Sequence, residues 1–153
     1  METYEVYFLC PVRTKELGLE FLDCFLPVRE DCADDYPYPE YTDSAKLVYD
    51  NIDELLGVLE TDTSAEYSLY WRGGPGSNYA QAMLFFTNDG NLVVGLAVYG
   101  EPRERVFTEI AEFTKGAYGY VDFENVPALS KSGFMSRCNR SNGPKAMDGR
   151  FVP

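Results

Sequence analysis

Residues 80–100, "AQAMLFFTNDGNLVVGLAVYG", contain two apolar runs on either side of Asn88-Asp89-Gly90-Asn91. Asp-Gly and the neighbouring Asn tolerate positive φ, so this segment predicts a compact hairpin turn between two antiparallel strands. Neither strand alternates cleanly between apolar and polar residues. Strands of this kind belong at a sheet centre covered on both faces, here by helices on one side and aromatic loop packing on the other. The expectation is an α+β fold: a single domain over residues 1–153, mainly antiparallel β-sheet, with two packed α-helices.

Upstream, "SLYWRGGPGSNYAQAMLFF" (68–86) places Arg72, Gly73, Gly74 and Gly76 between strand-like segments. A Walker-type phosphate loop needs Gly-Lys-Ser/Thr leading into a helix, and that is missing. The Rossmann glycine spacing is missing as well. The glycines read instead as a sharp connection around Pro75. Arg72 is expected to pair with a native carboxylate, or else to reach a carboxylate or phosphate through its planar fork. Trp71 serves as core or interface material.

One helix is expected at about 44–57, capped by Asp43 or Ser44, with Val48, Ile52, Leu55 and Leu59 on its apolar stripe. A second runs from Glu101-Pro102 to about Lys115 and ends at Gly116. "TYEVYFLC" (3–10) reads as an opening strand, and "YGYVDFENV" (118–126) as a short one. "LGLEFLDCFLPV" (17–28) suits either a strand or a short helix, since Phe21 and Phe25 lie four residues apart. From Pro127 the periodicity fades, so residues 127–153 are expected to form an irregular basic tail. From Ser130 onward that tail has five basic residues and one acidic. It would lie across the acidic half or remain partly free and mobile.

The formal net charge is -12, unevenly distributed. Residues 1–66 carry 17 Asp/Glu against 4 Lys/Arg (net -13), and residues 67–153 carry 8 against 9 (net +1). An anionic field repels nucleic acid and anionic membranes and steers basic partners inward. No signal-peptide pattern or long apolar run is present, and the four cysteines form no CxxC pair. These features point to reduced thiols and a cytoplasmic location. Cys10 and Cys24 read as buried structural residues, Cys32 and Cys138 as the more exposed thiols.

The absence of histidine excludes imidazole as base or metal ligand. Carboxylate-only hydrolysis remains chemically open, with Asp122 and Glu124 as one pair on a common strand face. Asp31, Asp34, Asp35 and Glu40 offer hard oxygen ligands without EF-hand spacing, and the cysteines lack zinc spacing. No catalytic residue, metal or cofactor is assigned. The segment "REDCADDYPYPEYTD" (29–43) is expected to be an exposed connection, because Pro37 and Pro39 disfavour a regular element. It pairs orienting charge with aromatic anchors. The candidate protein interface comprises Asp31, Asp34, Asp35, Tyr36, Tyr38, Glu40, Tyr41 and Asp43, together with Trp71 and Arg72.

The strand–turn–strand–helix–strand run "AMLFFTNDGNLVVGLAVYG", "EPRERVFTEIAEFTKG" and "YGYVDFEN", within Ala82–Asn125, resembles small bacterial immunity proteins that neutralise polymorphic or contact-dependent toxins. The resemblance implies a cytoplasmic, non-enzymatic protein. It would bind a basic toxin, such as a nuclease, and inhibit it by stoichiometric occlusion. A small-molecule or carboxylate-dependent hydrolytic enzyme, and a structural or regulatory protein-interaction adaptor, are the alternatives.

Overall fold

A computed structural model describes residues 2–41 and 43–153. Thr42, inside the expected exposed connection, lies outside the described residues. The predicted hairpin is present as β6 (Gln81–Phe86) and β7 (Leu92–Tyr99), paired in register from Gln81 opposite Ala97 to Phe86 opposite Leu92. Gly90 takes φ 87°, and the Thr87 N–H donates to Asn91 O at 2.9 Å to close the turn.

Around this pair stand β1 (Thr3–Cys10), β2 (Arg29–Asp31), β5 (Tyr67–Gly73), β8 (Tyr118–Asp122), β9 (Lys145–Met147) and β10 (Arg150–Val152). The resulting sheet has the order β10-β9-β8-β1-β7-β6-β5-β2, and all its pairings are antiparallel. A separate two-stranded ribbon joins β3 (Tyr36–Tyr38) to β4 (Leu47–Tyr49).

Among the described residues the fold has four α-helices rather than the two expected: α1 (Lys15–Phe25), α2 (Ile52–Thr61), α3 (Glu104–Thr114) and α4 (Lys131–Arg140). The first three pack on one sheet face. There Val6, Phe8, Leu84, Val94 and Leu96 meet Phe21, Leu22, Leu55, Leu59, Phe107 and Ile110. On the other face Tyr7, Met83, Phe85, Val93 and Tyr120 meet Phe134 and Cys138 of α4. Strand residues point alternately to the two sides, so double coverage explains why β6 and β7 read as continuous apolar runs.

The boundaries of α2 and α3 depart from the sequence reading, and one open choice is decided. α2 begins at Ile52, capped by Asn51, whose side chain accepts the Asp53 N–H at 2.8 Å, because residues 47–49 pair with β3 instead of starting the helix. Val48 is consequently exposed. α3 starts at Glu104, two residues beyond Pro102. It ends with Lys115 in the left-handed conformation (φ 60°), ahead of the predicted Gly116. The segment 17–28 is resolved in favour of a helix, capped by Thr14 and ending before Pro27.

The expectation of an irregular tail from Pro127 is corrected. Ser130 caps α4 by accepting the Gly133 N–H at 3.1 Å, and β9 and β10 extend the sheet. Only Phe134 and Cys138, four residues apart, are buried, so the helix is held by a narrow anchor rather than a broad stripe. Two of the cysteine expectations are corrected as well. Cys138 is enclosed against Gly119 O and Ala146 O, whereas α1 turns Cys24 outward between the buried Leu22 and Phe25. Among the described residues, no helix is long and apolar enough to cross a membrane.

Candidate protein-binding site

The segment after β2 carries the acidic and tyrosine residues. Contrary to the expected irregular connection, it folds back as the β3–β4 ribbon, with Pro37 opposite Val48. Each strand of a two-stranded ribbon keeps an unpaired edge, which is where proline is tolerated. Three side-chain contacts fasten the ribbon to the body. The Tyr67 hydroxyl donates to Pro37 O at 2.8 Å, and the Tyr38 hydroxyl donates to Asp62 Oδ2 at 2.5 Å. The Ser68 N–H donates to Glu40 Oε1 at 2.9 Å.

Arg13 braces the far side of this attachment. Its guanidinium donates to Leu59 O (2.8 Å), Thr87 O (2.6 Å), Asn91 O (3.1 Å), Asp62 O (3.2 Å) and Ala65 O (2.8 Å), and lies over the Phe86 ring. It thereby joins the end of α2, the 62–65 turn and the β6–β7 turn. Sequence reading passed over Arg13. A lone arginine after Val12 carries no local sign that five distant carbonyls converge on it.

Between the ribbon and β5 runs a groove of about 580 Å³, with Asp35, Tyr36, Glu40, Tyr41, Asp43, Tyr67 and Tyr70 on its walls. Asp34, Asp35 and Asp43 are exposed. Among the described residues no lysine or arginine pairs with these three or with Glu40. Tyr41 is 86% exposed and sits in the left-handed region at φ 59°. Tyr38 is half-buried, while Tyr36 is only 6% exposed and contributes its edge to the groove wall. Burial pushes the Glu40 carboxyl up to about 7, opposed by the Ser68 N–H and reinforced by Glu66. Burial, with the Asp62 hydrogen bond next in effect, raises the Tyr38 phenol to about 12.

Of the two β5 members of the expected interface, Trp71 is buried and Arg72 is exposed. Trp71 is 2% exposed, and its indole N–H donates to Asp31 Oδ1 at 2.8 Å, so it is core and holds Asp31 in place. β5 alternation turns Trp71 inward with Tyr67 and Leu69. Arg72 on the opposite side stays exposed beside Glu30 at 3.9 Å, next to the groove rather than in its wall.

The glycine connection is satisfied from within. The Gly73 N–H donates to Ala80 O (2.9 Å), Gly74 N–H to Val28 O (2.8 Å) and Ser77 N–H to Gly74 O (3.1 Å). A Cβ on Gly73 would stand 2.5 Å from Tyr79 O, so close backbone approach explains this glycine. The loop also walls a second cavity of about 590 Å³ against Phe25, Glu112 and Phe113.

Asp122 and Glu124 do not share a strand face. β8 ends at Asp122, and Glu124 follows at φ 56°. Asp122 pairs with Arg137 of α4 and accepts from Asn125 Nδ2 at 2.9 Å. Four strand spacings, about 19 Å, separate β8 from Arg72 on β5, so the two do not converge on one site. Arg137 also lies over the Tyr120 ring at 5.1 Å. None of the ion pairs among the described residues joins the C-terminal lysines and arginines to Asp31–Asp43. No group of three or more Cys, Asp or Glu among the described residues is arranged to hold a metal.

No protein-family model, curated protein or solved structure matches the chain.

Proposed function

We propose that the protein is an immunity-like inhibitor, which binds a basic protein such as a nuclease toxin and blocks it by stoichiometric occlusion. One observation carries this reading: three exposed carboxylates, Asp34, Asp35 and Asp43, stand without cationic partners among the described residues, beside the projecting ring of Tyr41 and a tyrosine-walled groove. The carboxylates steer a basic surface inward, and the rings supply the desolvated contact that slows its departure. The resemblance of Ala82–Asn125 to small immunity domains agrees with this role, and the cytoplasm is its proposed location. To test it, a captured basic partner is titrated with the protein while its own activity is followed. Inhibition complete at one equivalent supports occlusion. Activity persisting at several equivalents, with the complex formed, refutes it.

A second reading is a carboxylate-dependent enzyme, favoured by Glu40, whose carboxyl is held near neutrality in a groove beside Tyr67 and Tyr70. It requires substrate turnover that follows an ionisation near 7 and disappears in Glu40→Gln.

A further inference from the structure

β5 is seven residues long, but β2 pairs only with Trp71, Arg72 and Gly73. The backbone direction along β5 is set by two bonds. Gly73 N–H donates across to the β6 side at Ala80 O, and Gly74 N–H donates outward to Val28 O. Alternation then turns the backbone groups of Ser68 and Tyr70 outward as well, toward the groove. Among the described residues, no strand occupies that edge at Ser68. The Glu40 side chain takes the Ser68 N–H at 2.9 Å, standing where the carbonyl of a neighbouring strand would stand. An inward-pointing charge is a common way to keep an open edge from pairing indiscriminately.

We infer that the groove receives an extended basic segment of the partner protein, which adds as a strand to the outer edge of β5 at Tyr67–Tyr70. This inference rests on the inhibitory-binding reading and specifies how the partner is held. A carbonyl of the incoming segment takes the Ser68 N–H, and Glu40 is released to pair with a lysine or arginine of that segment. Asp35 and Asp43 on the groove walls meet further cations on the same chain. Charge complementarity selects this occupant: the carboxylates at the groove have no cation of their own among the described residues. Main-chain bonds hold the segment, and alternate side chains give selectivity.

The test uses the intact protein and the acetylated, amidated peptide Lys-Val-Lys-Val-Lys, compared with two versions N-methylated at alternate amides in either phase. All three carry the same charge, but only one phase loses the N–H groups that face β5. Strand addition predicts shifts of the Ser68 and Tyr70 amide resonances with the parent peptide, and binding at least about tenfold weaker for one methylated phase than for the other. Equal, salt-sensitive binding of all three peptides overturns strand addition while leaving the acidic-face reading intact. Binding of none of them, at low salt, overturns both.

Discussion

Replacing Arg13 with lysine keeps the positive charge but removes the planar fork. Five carbonyls converge on that fork, and the bonds to Leu59 O and Thr87 O are fully buried. An ammonium has three donors on one nitrogen and cannot span the end of α2, the 62–65 turn and the β6–β7 turn together. Thr87 O retains a bond from Gly90 N–H at 3.3 Å, so Leu59 O bears the largest loss. One buried acceptor left without a partner costs about 1–3 kcal/mol, and weakened charge-assisted bonds to the others add about 1 kcal/mol. Arg13→Lys should therefore destabilise the fold by about 2–4 kcal/mol, a large part of a typical domain's stability. Denaturant unfolding followed by the fluorescence of Trp71, the single tryptophan, reads this as a lower midpoint at unchanged slope. Stability within about 0.5 kcal/mol of the native protein would refute the claim that fork geometry, rather than charge, joins these elements.

Glu40→Gln should stabilise the protein above pH 7 and have little effect near pH 4. The native carboxyl titrates near 7 in the fold against an ordinary 4.5, so the site's stabilising contribution is complete below about 4.5 and is lost as pH rises through 7. The full difference corresponds to about 3 kcal/mol, and solvent on the groove side screens it to about 1–2 kcal/mol. Midpoints for both proteins at pH 4.5 and pH 8.5 check it, and a constant gap between them would contradict the Glu40 assignment. Phe134→Ala removes a fully buried ring packed 4.8 Å from Tyr120 and should cost about 3–5 kcal/mol. Thermal unfolding by circular dichroism checks this, and an unchanged midpoint would mean that α4 is not part of the cooperative fold.

The sequence was most informative where a local rule and burial agreed. Asp89-Gly90 marked the β6–β7 hairpin, the apolar stripe from Val106 to Phe113 marked α3, and Thr3–Cys10 marked β1. It misled where tertiary pairing overrode local pattern. Residues 44–50 continue a helical stripe, yet Leu47–Tyr49 pair with Tyr36–Tyr38, with Pro37 inside the pairing. α4 escaped notice because two buried anchors, Phe134 and Cys138, produce almost no periodicity. Within the candidate site, composition alone located the carboxylates and tyrosines of residues 31–43. It could not reveal that Trp71 turns inward, that Ser68 faces an open sheet edge, or that Arg13 braces the attachment, since each depends on contacts between distant segments.

Association kinetics of the captured basic partner test the binding claim most directly. The native protein is compared with a variant carrying Asp34→Asn, Asp35→Asn and Asp43→Asn, at about 20 mM and about 500 mM salt. At low salt the native rate should exceed the variant's by about tenfold or more, and the gap should largely close at high salt. Equal rates at both salt concentrations would contradict the assignment of this face as the partner's landing site.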